Sequence, residues 1–121
     1  MRYMALIYND PELMPAPGSP EFGAMMQGYF TANATYAADG VLLGGEPLED
    51  VSAATSLRIR GGETRTMDGP FAETREQLGG YFVVEAESME EAIKFAELIP
   101  GAKFGTVEVR PMLDVPGLPE L

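Results

Sequence analysis

Two acids, an aromatic ring and an arginine crowd one short stretch: Asp68-Gly69-Pro70-Phe71-Ala72-Glu73-Thr74, followed by Arg75. Paired carboxylates can divide acid and base roles when their surroundings push their pKa values apart. An arginine fork beside them can orient an anionic group. Asp68, held by a rigid Gly-Pro, is the first candidate for a catalytic acid, with Glu73 as its counterpart. Phe71 and Arg75 are candidate ligand contacts. To donate a proton near neutral pH, such a carboxyl needs a raised pKa. The same residues also suit a plain turn, in which Asp caps backbone amides, Gly and Pro set dihedrals, and Phe71 plugs the edge of a core. Tyr8, at the end of the first apolar run, is a further candidate ligand contact if that strand lies centrally. It equally suits an ordinary half-buried tyrosine.

Other constellations carry less. Arg58, Arg60, Arg65 and Arg110 alternate with apolar residues, which suits ion pairs on a solvated face more than an anion site. Gly44-Gly45 and Gly79-Gly80 lack the spacing and the lysine of a phosphate loop and read as turns or bulges. Asp10, Glu12, Glu46, Glu49 and Asp50 have no ligand spacing for a hard cation, so neither a metal nor a cofactor is expected.

Composition excludes whole classes of chemistry. The 121 residues contain no Cys and no His, so thiolate chemistry, disulfides, Cys-based metal sites and imidazole catalysis are out of reach. Eight basic residues face nineteen acidic ones, for a formal charge of −11. That surface repels nucleic acid and anionic membranes. No apolar run is long enough to span a bilayer. Met1 to Tyr8 is too short for a signal peptide, so a cytoplasmic location is expected.

These residues must be positioned by elements that the pattern makes legible. Tyr3 to Tyr8 reads as a buried strand, ended by Asn9, Asp10 and Pro11. A proline-rich loop follows, and Ser19-Pro20-Glu21 then starts a helix running to Ala38. Gly40 is placed as its C-cap. Val41 to Leu43 begins a second strand, broken by Gly44-Gly45. Ala54 to Arg60 and Glu63 to Met67 form a hairpin around Gly61-Gly62. The polar stretch to Gly80 reads as loop, with one turn at Glu73 to Gln77, and Tyr81 to Val84 as a buried strand. Ser88 and Glu91 make a capping box for a second helix, with an apolar stripe of Met89, Ala92, Ile93, Ala96 and Ile99. Gly105 to Pro111 is the last strand. The domain is taken as residues 1–112, and residues 113–121 as an irregular tail.

Stripped of its hairpin, the order is βαβ-βαβ. That predicts an α+β, ferredoxin-like sandwich with both helices on one sheet face. Both parities of Tyr3 to Tyr8 are apolar, so the second face needs cover. A homodimer joined through its sheets, an α/β-barrel-like assembly, is the expected answer.

The chain resembles the YCII-related proteins, in particular the subgroup named for its DGPF motif. The resemblance rests on Tyr3-Met4-Ala5-Leu6-Ile7-Tyr8, on Asp39-Gly40-Val41-Leu42 with Gly44-Gly45-Glu46, and on Asp68-Gly69-Pro70-Phe71-Ala72-Glu73-Thr74 with Glu76-Gln77-Leu78-Gly79-Gly80-Tyr81. Ala92, Ala96 and Thr106 to Pro111 complete it. It implies a ferredoxin-like fold that dimerises through its sheets. Some relatives have been suggested to be enzymes on the strength of a His–Asp pair. Asp68 matches that Asp, and no residue here matches the His. Others are encoded beside or fused to sigma-factor-like regulators. Two readings follow. One is a small-molecule-binding protein, a candidate enzyme, with Tyr8, Asp68, Phe71, Glu73 and Arg75 around an acidic pocket. The other is a non-catalytic accessory or regulatory homodimer in which the motif is architectural.

Overall fold

The computed structural model describes residues 1–119. Six strands and two α-helices follow in the order β1 (Arg2–Asn9), α1 (Pro20–Ala38), β2 (Leu42–Pro47), β3 (Thr55–Arg60), β4 (Glu63–Asp68), β5 (Gln77–Glu85), α2 (Met89–Ala96) and β6 (Gly105–Pro111). Short 3-10 turns lie at Val51–Ala53 and Pro100–Lys103. No helix among the described residues is long and apolar enough to cross a membrane.

β1 is central because it is the most continuously apolar strand. It pairs antiparallel with β5 on one side and β6 on the other, and β2 pairs with β5, giving the sheet order β2-β5-β1-β6. Tyr3, Ala5 and Ile7 are buried under the helices, while Met4, Leu6 and Tyr8 alternate to the other face and stay half-buried. Small residues let the helices lie close: Ala32 of α1, and Ala92 and Ala96 of α2, are buried against Tyr3, Ala5 and Ile7. Tyr36 fills the centre with no exposed surface. Its ring meets Phe82 and Phe95 edge-on at 5.4 and 5.9 Å, and its hydroxyl donates to the Phe95 carbonyl. Burial pushes the Tyr36 hydroxyl up to about 12.

The helix signals act where the sequence puts them. Ser19 Oγ accepts from the Phe22 amide at 3.1 Å. At the other end Gly40 adopts a φ of 69°, and the amides of Gly40 and Val41 return to the carbonyls of Ala37 and Tyr36. Ser88 Oγ accepts from Glu91 N, while Glu91 reaches back to Glu87 N rather than to the cap residue. Ala92, Ala96 and Ile99 of the expected α2 stripe are buried, but Met89 and Ile93 are exposed.

The α+β class stands. The ferredoxin-like sandwich within a dimeric α/β-barrel-like assembly is corrected, because the chain forms two separate sheets and neither closes. β2 and β6 remain free edges of the four-stranded sheet. A barrel needs its first and last strands to pair. The hairpin β3-β4 does fall between β2 and β5 in the chain, yet residues 48–54 carry it away as a two-stranded sheet of its own. Local boundaries change too. β2 runs through Gly44-Gly45, and β5 begins at Gln77 and runs through Gly79-Gly80. Extended glycines pair as well as other residues once neighbours supply the ladder, and here they face tight approaches described below. Residues 69–76 contain bends and no helical turn. The tail expected over residues 113–121 lies partly outside the described residues.

Candidate functional site

Glycines in the middle of strands remove side chains from the helix-facing side of the sheet. Gly80 pairs with Ile7 and with Pro47, and Gly45 pairs with Phe82. Gly79 is the extra residue of a bulge, since Ile7 faces Gly80 and Tyr8 faces Leu78. A Cβ on Gly79 would stand 2.2 Å from Asn9 Nδ2, and one on Gly45 would stand 2.8 Å from both Tyr81 O and Phe82 Cδ1. Glycine lets these groups approach closely, and beside them, under α1, the fold leaves a space.

That space is a cavity of about 360 Å³ between α1, β1, β2 and β5. Its walls are apolar: Met25, Met26, Tyr29 and Phe30 come from α1, Ile7 and Phe82 from the sheet, and Met14 from the proline-rich loop. Its polar lining is sparse, with Asn9, Asn33 and Glu46 as the polar side chains besides the tyrosines. Burial pushes the Tyr29 hydroxyl pKa up, while the backbone amide of Gly101 pulls it the other way less strongly. A second, more open cavity of about 570 Å³ lies beside Pro11–Pro17 and Leu48–Val51 and shares Asn9, Met14 and Gly79 with the first.

Asn9 stands on that shared wall. Its Oδ1 is buried and accepts no hydrogen bond from any described residue. Leaving a buried acceptor unpaired costs about 1–3 kcal/mol, so a donor that reaches this oxygen, an ordered water or a ligand group, is stabilising. The next residue is fully committed. Asp10, 4% exposed, accepts from Glu12 N at 3.0 Å and from Arg75 Nε at 3.0 Å. Its carbonyl receives the amides of Leu13 and Met14, which holds Met14 over both cavities. Arg75 Nη2 also lies 3.6 Å from Glu12.

The five residues singled out in the sequence fare unequally. Arg75 is brought to the end of β1 and ties the 69–76 segment to Asp10. Tyr8 is half-buried on the sheet face away from α1. Asp68 ends β4 opposite Thr55 and is exposed, as is Glu73. Phe71, 73% exposed, plugs no core edge. None of the five lines either cavity. No three acids among the described residues converge as metal ligands. Asp50 caps its own 3-10 turn, and hydrogen bonds from the Ser52 hydroxyl and amide lower its pKa.

Asn9, Tyr29 and the glycine floor escape a reading of the sequence alone. The signal present was the pair of Gly-Gly steps, together with Asn33 as the one polar residue on the apolar side of α1. Only the strand register shows that Gly45 and Gly80 fall on adjacent strands under the same helix.

The model of the YCII-related domain matches residues 1–116. The chain belongs to the YCII-related family. An uncharacterized protein of Rhizobium meliloti (strain 1021) is 38% identical over 114 residues, covering 93% of this chain and 92% of that one. Among solved structures the chain is similar to 5-chloro-2-hydroxyhydroquinone dehydrochlorinase from Burkholderia phenoliruptrix AC1100, in complex with 2,5-dihydroxybenzoquinone. The two share 18% identity and a TM-score of 0.48 over 93% of this chain and 94% of that one. At that level the likeness assigns no chemistry to this YCII-related chain.

Proposed function

We propose that this YCII-related protein binds one small, uncharged, largely apolar molecule in the cavity between α1 and the sheet. The observation that carries this reading is Asn9, a residue of the glycine-floored apolar space whose Oδ1 is a buried acceptor without a partner among the described residues. The matching ligand presents one hydroxyl or N–H donor to Asn9 and an apolar body to Met25, Tyr29 and Phe82. Glu46 at the edge strand and the chain's charge of −11 oppose an anion. Pockets of this size suit a single compact ligand. The 69–76 segment enters this reading through Arg75, which braces Asp10 and so Asn9.

The test is a thermal-shift and calorimetric screen of neutral phenols, alcohols and amides, each beside its O- or N-methylated form. Donor-bearing members should bind, and methylation should weaken them by about tenfold or more. Asn33→Trp, which fills the cavity from α1, should abolish binding. Equal affinity for the methylated forms, or binding unaffected by the filled cavity, would sink the reading.

A second reading, an accessory or regulatory homodimer with an architectural motif, has one observation of its own. The Gly69 amide donates to the Ala54 carbonyl at 2.7 Å and the Ser56 hydroxyl donates to the Gly69 carbonyl at 2.8 Å. The start of the Asp68-Gly69-Pro70-Phe71 run is thus spent on closing the base of the β3-β4 hairpin. That run also supports placing the chain in the DGPF-motif subgroup.

A further inference from the structure

The two cavities meet at a neck, because Asn9, Met14 and Gly79 line both. Asn9 and Gly79 belong to the sheet, where the bulge in β5 brings them together. Met14 comes from the proline-rich loop. One flexible side chain thus stands between a cavity of about 360 Å³ and another of about 570 Å³. Methionine has three rotatable bonds and adapts to irregular gaps, so it can yield to an occupant while its backbone stays in place. That backbone is anchored. The Met14 amide donates to the Asp10 carbonyl at 3.1 Å, the Asp10 amide donates to the Phe104 carbonyl at 2.9 Å, and Arg75 holds the Asp10 carboxylate.

The two spaces differ in chemistry. The one under α1 is almost wholly apolar. The other joins apolar walls, among them Phe22, Val51 and Leu78, to the carboxylates of Glu49 and Asp50. Asp50 spends one carboxylate oxygen on the amide and hydroxyl of Ser52. Neither Glu49 nor Asp50 makes an ion pair with a described residue. No lysine or arginine lines either cavity, so with Glu46 every charge along the pair is negative. Such a lining attracts a cation and opposes an anion.

We propose that the two cavities form one site for an elongated ligand: a donor-bearing apolar head under α1, a short hydrocarbon tail past Met14, and an amine at its end in the second cavity. The proposal rests on the ligand-binding reading above, whose uncharged molecule is the head, and extends it to the substrate class. Met14 then determines specificity, because its side chain sets how far a ligand reaches. The tail contributes through apolar surface removed from water. The amine contributes less, because Glu49 and Asp50 are exposed and salt screens them.

Calorimetry on the full chain tests it with phenol, para-propylphenol, and para-propyl tails ending in an amine or a carboxylate, at low and high salt. The propyl tail should tighten binding by about tenfold or more over phenol. The amine should add about two- to fivefold at low salt, a gain that shrinks as salt rises, and the carboxylate should bind more weakly than the amine. Two variants address the path. Met14→Phe thickens the neck and Val51→Trp fills the second cavity, and each should bring the ratio of tailed to bare phenol affinity down to about one. Circular dichroism checks that both fold, and the wild-type series stands without them. Phenol binding with no gain from a tail, a gain that survives both substitutions, or a carboxylate tail equal to the amine at low salt overturns the two-chambered site and leaves the ligand-binding reading standing. Failure of phenol and of every tailed form to bind overturns both.

Discussion

The helix-covered half of the main sheet and the β3-β4 hairpin use the same dipeptide for opposite ends. Gly61-Gly62 takes positive φ at both residues and turns the chain. Gly79-Gly80 keeps φ outside that range, stays extended inside β5, and lets Asn9 and the β2 backbone come close. The turn glycines would tolerate a Cβ in space but not in dihedral, since nothing lies within 4 Å of one. The strand glycines would tolerate one in dihedral but not in space. The first pair shapes an arm with no interior, and the second shapes the interior beside a cavity. Stability in this molecule is therefore concentrated in one half, and the other half is free to be surface.

Substitutions can break that contrast. Tyr36→Ala should cost about 3–5 kcal/mol in urea unfolding, because it empties the most buried position and removes one of the two hydrogen bonds to the Phe95 carbonyl, the other coming from the Leu98 amide. A loss of under 1 kcal/mol would mean that the core relaxes around the gap. Titration reads the same residue without cutting it. Burial holds the Tyr36 hydroxyl at about 12 in the folded chain, above its ordinary value near 10. The neutral phenol is favoured by folding, so its contribution is complete below pH 10 and is lost as the pH rises from there through 12. Wild-type stability should fall by roughly 2–3 kcal/mol more than that of Tyr36→Phe across that interval. Parallel curves for the two proteins would remove burial of this hydroxyl as the cause.

Much of the fold was legible because local signals and global packing agree. Ser19, Gly40 and Ser88 announce helix ends that no tertiary contact overrides, and Tyr3 to Tyr8 is too apolar to be anything but a central strand. The strand breaks were misread for a physical reason. A glycine pair between apolar runs looks the same whether it turns or continues, and only the partner strand decides. The closed assembly was overread from apolar side chains on both faces of β1. In the molecule Met4, Leu6 and Tyr8 are half-buried without the sheet closing. At the site, Arg75 was visible as the one base beside two acids, but its partner Asp10 lies 65 positions away in the chain. Asn9 carries no sequence signal, because an asparagine before Asp-Pro reads as the start of a loop.

The smallest expected effect is the sharpest test of how the two halves differ. Leu57→Ser on the arm removes a large apolar side chain, as Tyr36→Ala does in the core. Yet Leu57 is already 63% exposed and its cross-strand partner is Thr66. Its transfer from water on folding is small, so little burial is left to lose. In dilute solution the change should lower the unfolding free energy measured in urea by less than about 0.5 kcal/mol. A shift of 2 kcal/mol or more, on the scale of a buried leucine, would show that the arm folds down onto the body. The hairpin would then belong to the core, and the partition between a stabilising half and a presenting half would fail.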